Sequence, residues 1–123
     1  MTMASPWTVD ETVSRLEGVI AAKGLQVFAV FDHSAAAQAA GLELRETKVV
    51  VFGSPAAGTP VMEAAPLAAL DLPLRVAVWD EDGDTKLSYL SPDELASRYS
   101  LDDALGRRLA GIEVVVDDTL GQS

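Results

Sequence analysis

The sequence contains no cysteine and only one histidine among its 123 residues. The absence of cysteine excludes disulfides, thiolate metal sites and a cysteine nucleophile. It fits a reducing compartment without proving one. Residues 1–12 show neither the basic region nor the apolar region of a signal peptide, so we expect a cytoplasmic protein.

Positive charge is also scarce. Nine Lys and Arg stand against 19 Asp and Glu, which gives a formal net charge of −10, and Arg107–Arg108 is the only basic pair. Such a charge repels phosphate backbones, so we expect no nucleic-acid partner. No apolar run approaches the roughly 20 residues of a transmembrane helix, so we expect no membrane partner. The hydrophobic fraction of 49% supports one folded domain over residues 1–123.

Capping signals predict several helices. Thr8–Glu11 forms a capping box for a helix over residues 9–23, and Ser91–Glu94 opens another that runs through Tyr99. The leucines and valines that recur at three or four residues from residue 101 favour one C-terminal helix, about 101–120, although Glu113–Val116 has strand propensity.

Apolar and β-branched runs predict strands at residues 25–31, 48–52, 73–80 and 86–90, and residues 1–7 could add another. The run 25–31 contains one polar residue, so we expect both faces of this strand to be at least partly covered. The acidic segment Asp80–Thr85 predicts a hairpin turn rather than a calcium loop, because the EF-hand spacing fails. The fold class is therefore α+β, with a single, mostly antiparallel sheet and helices on one face. The other face is left for a partner subunit or a ligand.

The segment Gly53–Pro60 joins a strand to a helix that we expect to start at Thr59–Pro60. Its backbone N–H groups could bind an anion, which makes Gly53, Ser54, Gly58 and Thr59 candidate ligand-binding residues. It is not a Walker A loop, since no Lys follows Gly58. The alternative is a plain connection whose glycines supply unusual backbone angles.

His33 is the only side chain whose unperturbed pKa lies near neutrality, and it follows a predicted strand. It could bind a ligand or act as a general acid–base with Asp32 orienting it, or it could be a structural histidine bonded to the backbone. One histidine and one neighbouring carboxylate supply too few ligands for a metal site, so we assign no metal. Asp32 or Ser34 can also cap a short alanine-rich helix that ends at Gly41. No nucleophile or cofactor fingerprint is evident, so enzyme activity and cofactors stay unassigned.

Several motifs in one order resemble the domain of unknown function 302 family of small bacterial and archaeal proteins, over about residues 5–100. They are Thr12…Arg15-Leu16, Lys23-Gly24-Leu25, Asp32-His33-Ser34-Ala35, Gly41-Leu42-Glu43-Leu44, Phe52-Gly53-Ser54-Pro55-Ala56-Ala57-Gly58-Thr59-Pro60, Asp71-Leu72-Pro73-Leu74 and Val78-Trp79-Asp80. The resemblance implies a β-α-β4-α arrangement of the TATA-box-binding-like class and a homodimer, and it implies no established activity. Ser54 stands where the family usually has Asn. Tyr99 stands where His is common in the family, which weakens the case for a two-histidine metal site in this chain.

The sequence therefore favours a homodimeric module that binds a small molecule or ion near His33 and the Gly53–Pro60 segment. The alternatives are an enzyme that uses His33 and a purely structural or regulatory dimer. Asp71 is expected to cap a helix or to enter the pocket. The deciding geometry is whether His33, Thr59 and Asp71 line one cavity.

Overall fold

The computed structural model describes residues 1–121. Its elements in chain order are β1 (Thr2–Ser5), α1 (Val9–Ala22), β2 (Gln26–Asp32), α2 (His33–Ala39), β3 (Thr47–Gly53), α3 (Pro55–Ala64), a 3₁₀ turn (Pro66–Leu70), β4 (Leu74–Glu81), β5 (Asp84–Ser88), α4 (Pro92–Tyr99), α5 (Asp103–Arg107) and α6 (Gly111–Leu120). The expected α+β class is confirmed. No helix within residues 1–121 is both long enough and apolar enough to cross a membrane.

The strands form one sheet in the order β1-β5-β4-β3-β2, and all four neighbouring pairs are antiparallel. β4 is the central strand. The β4–β5 turn places Asp82 and Gly83 at φ values of 53° and 94°, the left-handed conformation that a tight hairpin needs. The predicted hairpin is therefore confirmed, and the first strand forms at the sheet edge.

Helices α1 and α6 pack on the same face of the sheet. The helix α1 has the predicted apolar spacing and the predicted cap, in which the Thr8 hydroxyl accepts from the Glu11 N–H at 3.1 Å. The main core joins both helices to the central strands, and its fully buried side chains are Leu16, Ile20, Val50, Phe52, Val76, Val78, Leu87, Val115 and Val116.

A second, smaller core lies beside the first. It consists of Val61 from α3, Ala68 from the 3₁₀ turn, Leu95 from α4 and Leu109 after α5. The side chain of Leu74 at the start of β4 packs against both cores. The short helices thus build a compact layer at the end of the sheet where β4 begins.

The predicted start of α3 is wrong. The helix begins at Pro55 with Ser54 as N-cap, so Thr59 and Pro60 lie inside it. A proline at the first helical position follows the same rule that suggested Thr59–Pro60, and the sequence offers that pattern twice. The helix that begins at Pro55 carries Val61 in the second core, where it is fully buried.

The single C-terminal helix is also wrong. Ser100 ends α4 in a left-handed conformation at φ 53°, and Asp102 caps α5 by accepting from the Leu105 N–H at 2.8 Å. Two helices, α5 and α6, therefore replace one. Residues 112–118 are helical, as the spacing favoured.

The strand β2 lies at the sheet edge, which overturns the expectation that both its faces are covered. Phe28, Val30 and Phe31 keep 41%, 39% and 53% of their surface exposed. The apolar run was typical of a central strand, but only β3 pairs with it. A β-bulge between Val27 and Ala29 interrupts that pairing.

Candidate functional site

A cavity of about 220 Å³ lies at the end of the sheet where β3 finishes and β4 starts. The start of α3, the Leu72–Leu74 segment, the β-bulge of β2 and the residues after α5 enclose it. Its wall is mostly apolar, and the lining residues are Phe28, Gly53, Ser54, Pro55, Ala57, Gly58, Thr59, Met62, Leu72, Pro73, Leu74, Arg108 and Leu109.

The four candidate residues of the Gly53–Pro60 segment all line this cavity. Gly53 ends β3 fully enclosed, and a Cβ built on it would lie 3.8 Å from the Pro73 Cβ. Ser54 then turns the chain with an extended conformation, and its hydroxyl makes no capping bond. The Ser54 hydroxyl is therefore free of a helix-capping bond at the cavity wall.

The polar groups of the cavity wall are few. The lining residues with polar or charged side chains are Ser54, Thr59 and the exposed Arg108. Among residues 1–121, no carboxylate forms an ion pair with Arg108. Arg108 is thus the one charged residue among those that line the cavity, in a chain with a net charge of −10.

Sequence reasoning missed much of the wall. Phe28, Met62, Leu72 and Leu109 are ordinary apolar residues in distant parts of the chain, and only folding brings them together. The one available signal was Arg107–Arg108, the only basic pair, and it gave no hint of which arginine faces a cavity.

Asp71 neither caps a helix nor lines the cavity. Its carboxylate accepts from the Tyr99 hydroxyl and from Arg98 Nη1 at 2.9 Å. The Tyr99 hydrogen bond, helped by Arg98, holds the pKa of Asp71 below its usual value against the opposing effect of burial. This contact fixes the end of the 3₁₀ turn on α4, and the next two residues, Leu72 and Pro73, form cavity wall. Asp71 therefore positions the wall without touching the cavity.

His33 lies at the opposite end of the sheet. Gln26 at the start of β2 pairs with Gly53 at the end of β3, so β2 separates His33 from the cavity by roughly 20 Å. Its exposed ring stacks on Phe31, with centroids 6.3 Å apart and planes inclined by 23°. His33, Thr59 and Asp71 do not line one cavity, and the predicted site separates into two places.

Asp32 accepts hydrogen bonds at the start of α2 and lies near a lysine. Its carboxylate accepts from the Ala35 N–H at 2.9 Å and from the Ser34 hydroxyl at 2.7 Å, so it caps α2 as predicted. The Ala35 N–H contributes most to lowering the pKa of Asp32, and Lys48 Nζ lies 3.8 Å away. Within residues 1–121 no hydrogen bond joins Asp32 to His33, and His33 does not line the apolar cavity. The acid–base role of His33 stays a prediction without a cavity to support it.

Comparisons with known proteins agree with this architecture. The crystal structure of an uncharacterized conserved protein DUF302 from Bacillus stearothermophilus matches it with a TM-score of 0.82 and 25% sequence identity, over 99% of this chain and 95% of that chain.

Two curated proteins share more of the sequence. Fluoride-specific ion channel FluC 1 of Brucella suis biovar 1 (strain 1330) is 40% identical over 103 residues, which cover 82% of this chain and 40% of that protein. The protein of the same name from Brucella abortus biovar 1 (strain 9-941) is 40% identical over 82% of this chain and 38% of its own length. The chain thus spans about two fifths of the length of these relatives. A family model described as Domain of unknown function DUF302 matches residues 1–117, and the chain belongs to this family.

Proposed function

We propose that this chain is a binding module for a small, mostly apolar molecule that carries one anionic group. The ligand occupies the cavity beside the Gly53–Thr59 segment. The observation that carries the proposal is the cavity itself, about 220 Å³ with an apolar wall and one arginine. An apolar cavity of about 150 Å³ in another protein stays dry and binds benzene, so this volume suffices for a small ring or a short chain.

The apolar wall selects the body of the ligand. Phe28, Met62 and Leu109 present carbon atoms to the cavity, and burying an apolar ligand there contributes roughly 25 cal/mol for each Å² removed from water. A strongly polar ligand would lose its hydration without finding hydrogen-bond partners in the wall, which costs on the order of several kcal/mol. The wall therefore favours hydrocarbon over sugar or nucleotide.

Arg108 selects the charged end. A guanidinium binds a carboxylate in a planar, two-bonded arrangement, and it keeps its charge at every physiological pH. The chain otherwise repels anions through its net charge of −10, so a carboxylate ligand needs such a local cation. The Ser54 and Thr59 hydroxyls add donors at the same wall.

Thermal-shift measurements with hexanoate, octanoate and phenylacetate test the proposal. We expect at least one carboxylate to raise the melting temperature in a concentration-dependent way. Ala57→Leu fills the cavity with a good helix former and should abolish the shift. Ala56→Leu, the exposed neighbour outside the cavity lining, should keep it. Equal shifts in both variants would show that the ligand binds elsewhere.

A second pair of variants tests the charge. Arg108→Gln should weaken carboxylate binding about tenfold or more, whereas Arg107→Gln, outside the cavity lining, should leave it unchanged. The matching alcohol, octanol in place of octanoate, should bind both variants equally. An unchanged carboxylate affinity in Arg108→Gln contradicts the proposed orientation. His33→Ala should also bind like the wild type, because β2 separates His33 from the cavity.

The name of the curated relatives adds sodium fluoride to the screen. Fluoride is small and strongly hydrated, and an apolar wall does not replace its water. We therefore expect no shift with fluoride at the ionic strength of a sodium chloride control. A shift with fluoride that is lost in Arg108→Gln would instead identify fluoride as the ligand of this site.

A further inference from the structure

One aromatic side chain, that of Phe28, belongs to the wall of the apolar cavity. Among the described residues 1–121, it is the only aromatic residue that lines this cavity. Phe28 comes from the edge strand β2, whereas most of the wall comes from α3, the Leu72–Leu74 segment and the residues after α5. It therefore offers a ligand a kind of contact that the aliphatic wall residues do not.

A β-bulge gives Phe28 its place in the wall. Val27 and Ala29 pair with two consecutive residues of β3, so Phe28 between them is an extra residue without a partner. Such a bulge breaks the alternation of a strand and turns a side chain in a new direction. The Phe28 ring lies beside Gly53, the last residue of β3, with Cε2 4.0 Å from the point where a Cβ on Gly53 would stand. The bulge thus directs the ring to the strand end that borders the cavity.

Phe28 also has more apolar surface left to bury than the other large apolar residues of the wall. It is 41% exposed, whereas Leu109 is 2% exposed and Met62, Leu72 and Leu74 are partly buried. A ligand gains hydrophobic free energy only from surface that was in contact with water before binding. Covering the Phe28 ring therefore contributes more than covering any one of these four aliphatic side chains.

The wall formed by the start of α3 is built from small residues. Gly53, Ala57 and Gly58 line the cavity and carry at most a methyl group. Glycine at such positions lets a ligand approach the backbone closely. A flat ring can contact a wall of this kind over its whole face, whereas a bent alkyl chain contacts it over part of its surface.

An aromatic ligand gains a further attraction from Phe28, beyond the apolar area that the contact buries. Two aromatic rings prefer an offset-stacked or edge-to-face arrangement, with their centroids about 4.5–7 Å apart. This additional attraction corresponds to roughly a twofold to tenfold gain in affinity. A saturated ring of the same size buries similar area but lacks this attraction.

We infer that the ligand of this cavity is an aromatic carboxylic acid and that Phe28 recognises its ring. The inference rests on the proposed function, from which it takes the cavity and the carboxylate, and it adds the chemical class of the apolar body. Phe28 contacts the ring of the ligand, and the small residues at the start of α3 leave room for the flat face of that ring.

Isothermal titration calorimetry of the full chain with phenylacetate and cyclohexylacetate tests the inference. The two acids have the same charge and the same carbon skeleton, and they differ in whether the ring is aromatic. Their hydration also differs, so we compare the ratio of their two dissociation constants between proteins, because each ligand's own hydration then cancels. Relative to the wild type, Phe28→Leu should shift this ratio against phenylacetate by roughly twofold to tenfold. Phe28→Tyr keeps the aromatic ring and should preserve the wild-type ratio.

Phe31→Leu is the matched control. Phe31 belongs to the same strand, is 53% exposed and lies outside the cavity lining, so its replacement should leave the ratio unchanged. If Phe28→Leu weakens both acids equally, or if Phe31→Leu shifts the ratio as much, the inference is overturned and the proposed function stands. The same conclusion follows if octanoate binds the wild type and phenylacetate does not. If no carboxylate binds the wild type, both the inference and the proposed function are overturned.

Discussion

Two of the strand-to-helix junctions, β2–α2 and β3–α3, each lead into a helix with several alanines, and the structure uses them differently. At the first, β2 ends and Asp32 caps the alanine-rich helix α2, which has no buried residue. At the second, β3 ends and Ser54 precedes α3, where Val61 is fully buried and the helix encloses a cavity. Asp32 and His33, the side chains suited to acid–base chemistry, lie at the first junction, whereas the second junction borders the cavity. A binding site needs enclosure before it needs reactive groups, so the second junction is the better candidate.

The strongest test of this contrast is the packing of α3. Val61→Ala should lower the free energy of unfolding by about 2 kcal/mol, because a fully buried side chain in contact with the second core is truncated. Gln38→Ala in α2 should change it by less than about 0.5 kcal/mol, since Gln38 is exposed. Urea denaturation measures both. Similar effects of the two substitutions would remove the distinction between the junctions.

The polar contact behind the cavity wall gives the next largest effect. Asp71→Asn should cost about 1 kcal/mol at neutral pH, because the carboxylate accepts from Tyr99 and Arg98. The folded-state pKa of Asp71 lies below its usual value. The stabilisation is therefore fully present above the unfolded-state pKa of about 3.9 and is lost as the pH falls through the folded-state pKa.

The difference between wild type and Asp71→Asn should accordingly be constant above about pH 5 and shrink below about pH 4. Asp93→Asn, an exposed position on α4, provides the control, and its difference from wild type should be small throughout. Chemical denaturation over a pH series measures the curves. A difference that stays constant down to pH 2 would assign the effect to packing instead of charge.

Much of the fold was predictable because local signals and the final structure agree. The cap at Thr8 and the capping box at Ser91 start α1 and α4 where expected. The wrong boundary of α3 arose where two local signals compete, because both Pro55 and Pro60 can stand at the first helical position. A short window of sequence does not tell which of the two the folded chain uses.

The site was only half predictable for a topological reason. Asp32–His33 and Gly53–Ser54 both follow the carboxyl end of a strand. In a parallel sheet these ends share one edge, but β2 and β3 are antiparallel, so their carboxyl ends lie at opposite edges. The antiparallel sheet, which the sequence predicted, already implied the separation of His33 from the cavity.

Two glycines test whether the second junction is helical throughout. Gly58→Ala should raise the free energy of unfolding by about 0.5–1 kcal/mol, because Gly58 lies inside α3 and a Cβ there meets the Met62 methyl at an ordinary 3.8 Å. Gly41→Ala should lower it by about 1 kcal/mol, since Gly41 has a φ of +77°. No gain in Gly58→Ala would favour the loop that the sequence suggested for Gly53–Gly58.

The smallest expected effect compares the two caps directly. Asp32 accepts from the Ala35 N–H, whereas Ser54 makes no side-chain bond to the start of α3. Asp32→Ala should therefore lower the melting temperature measurably, since an N-cap that bonds the first turn stabilises its helix. Ser54→Ala should leave the melting temperature within about 1 °C, because it removes no capping bond. If Ser54→Ala changes carboxylate binding while its stability stays the same, the hydroxyl serves the cavity and not the helix. Equal losses of stability in the two variants would mean that Ser54 caps α3 in solution, and the two junctions would then differ only in what packs over them.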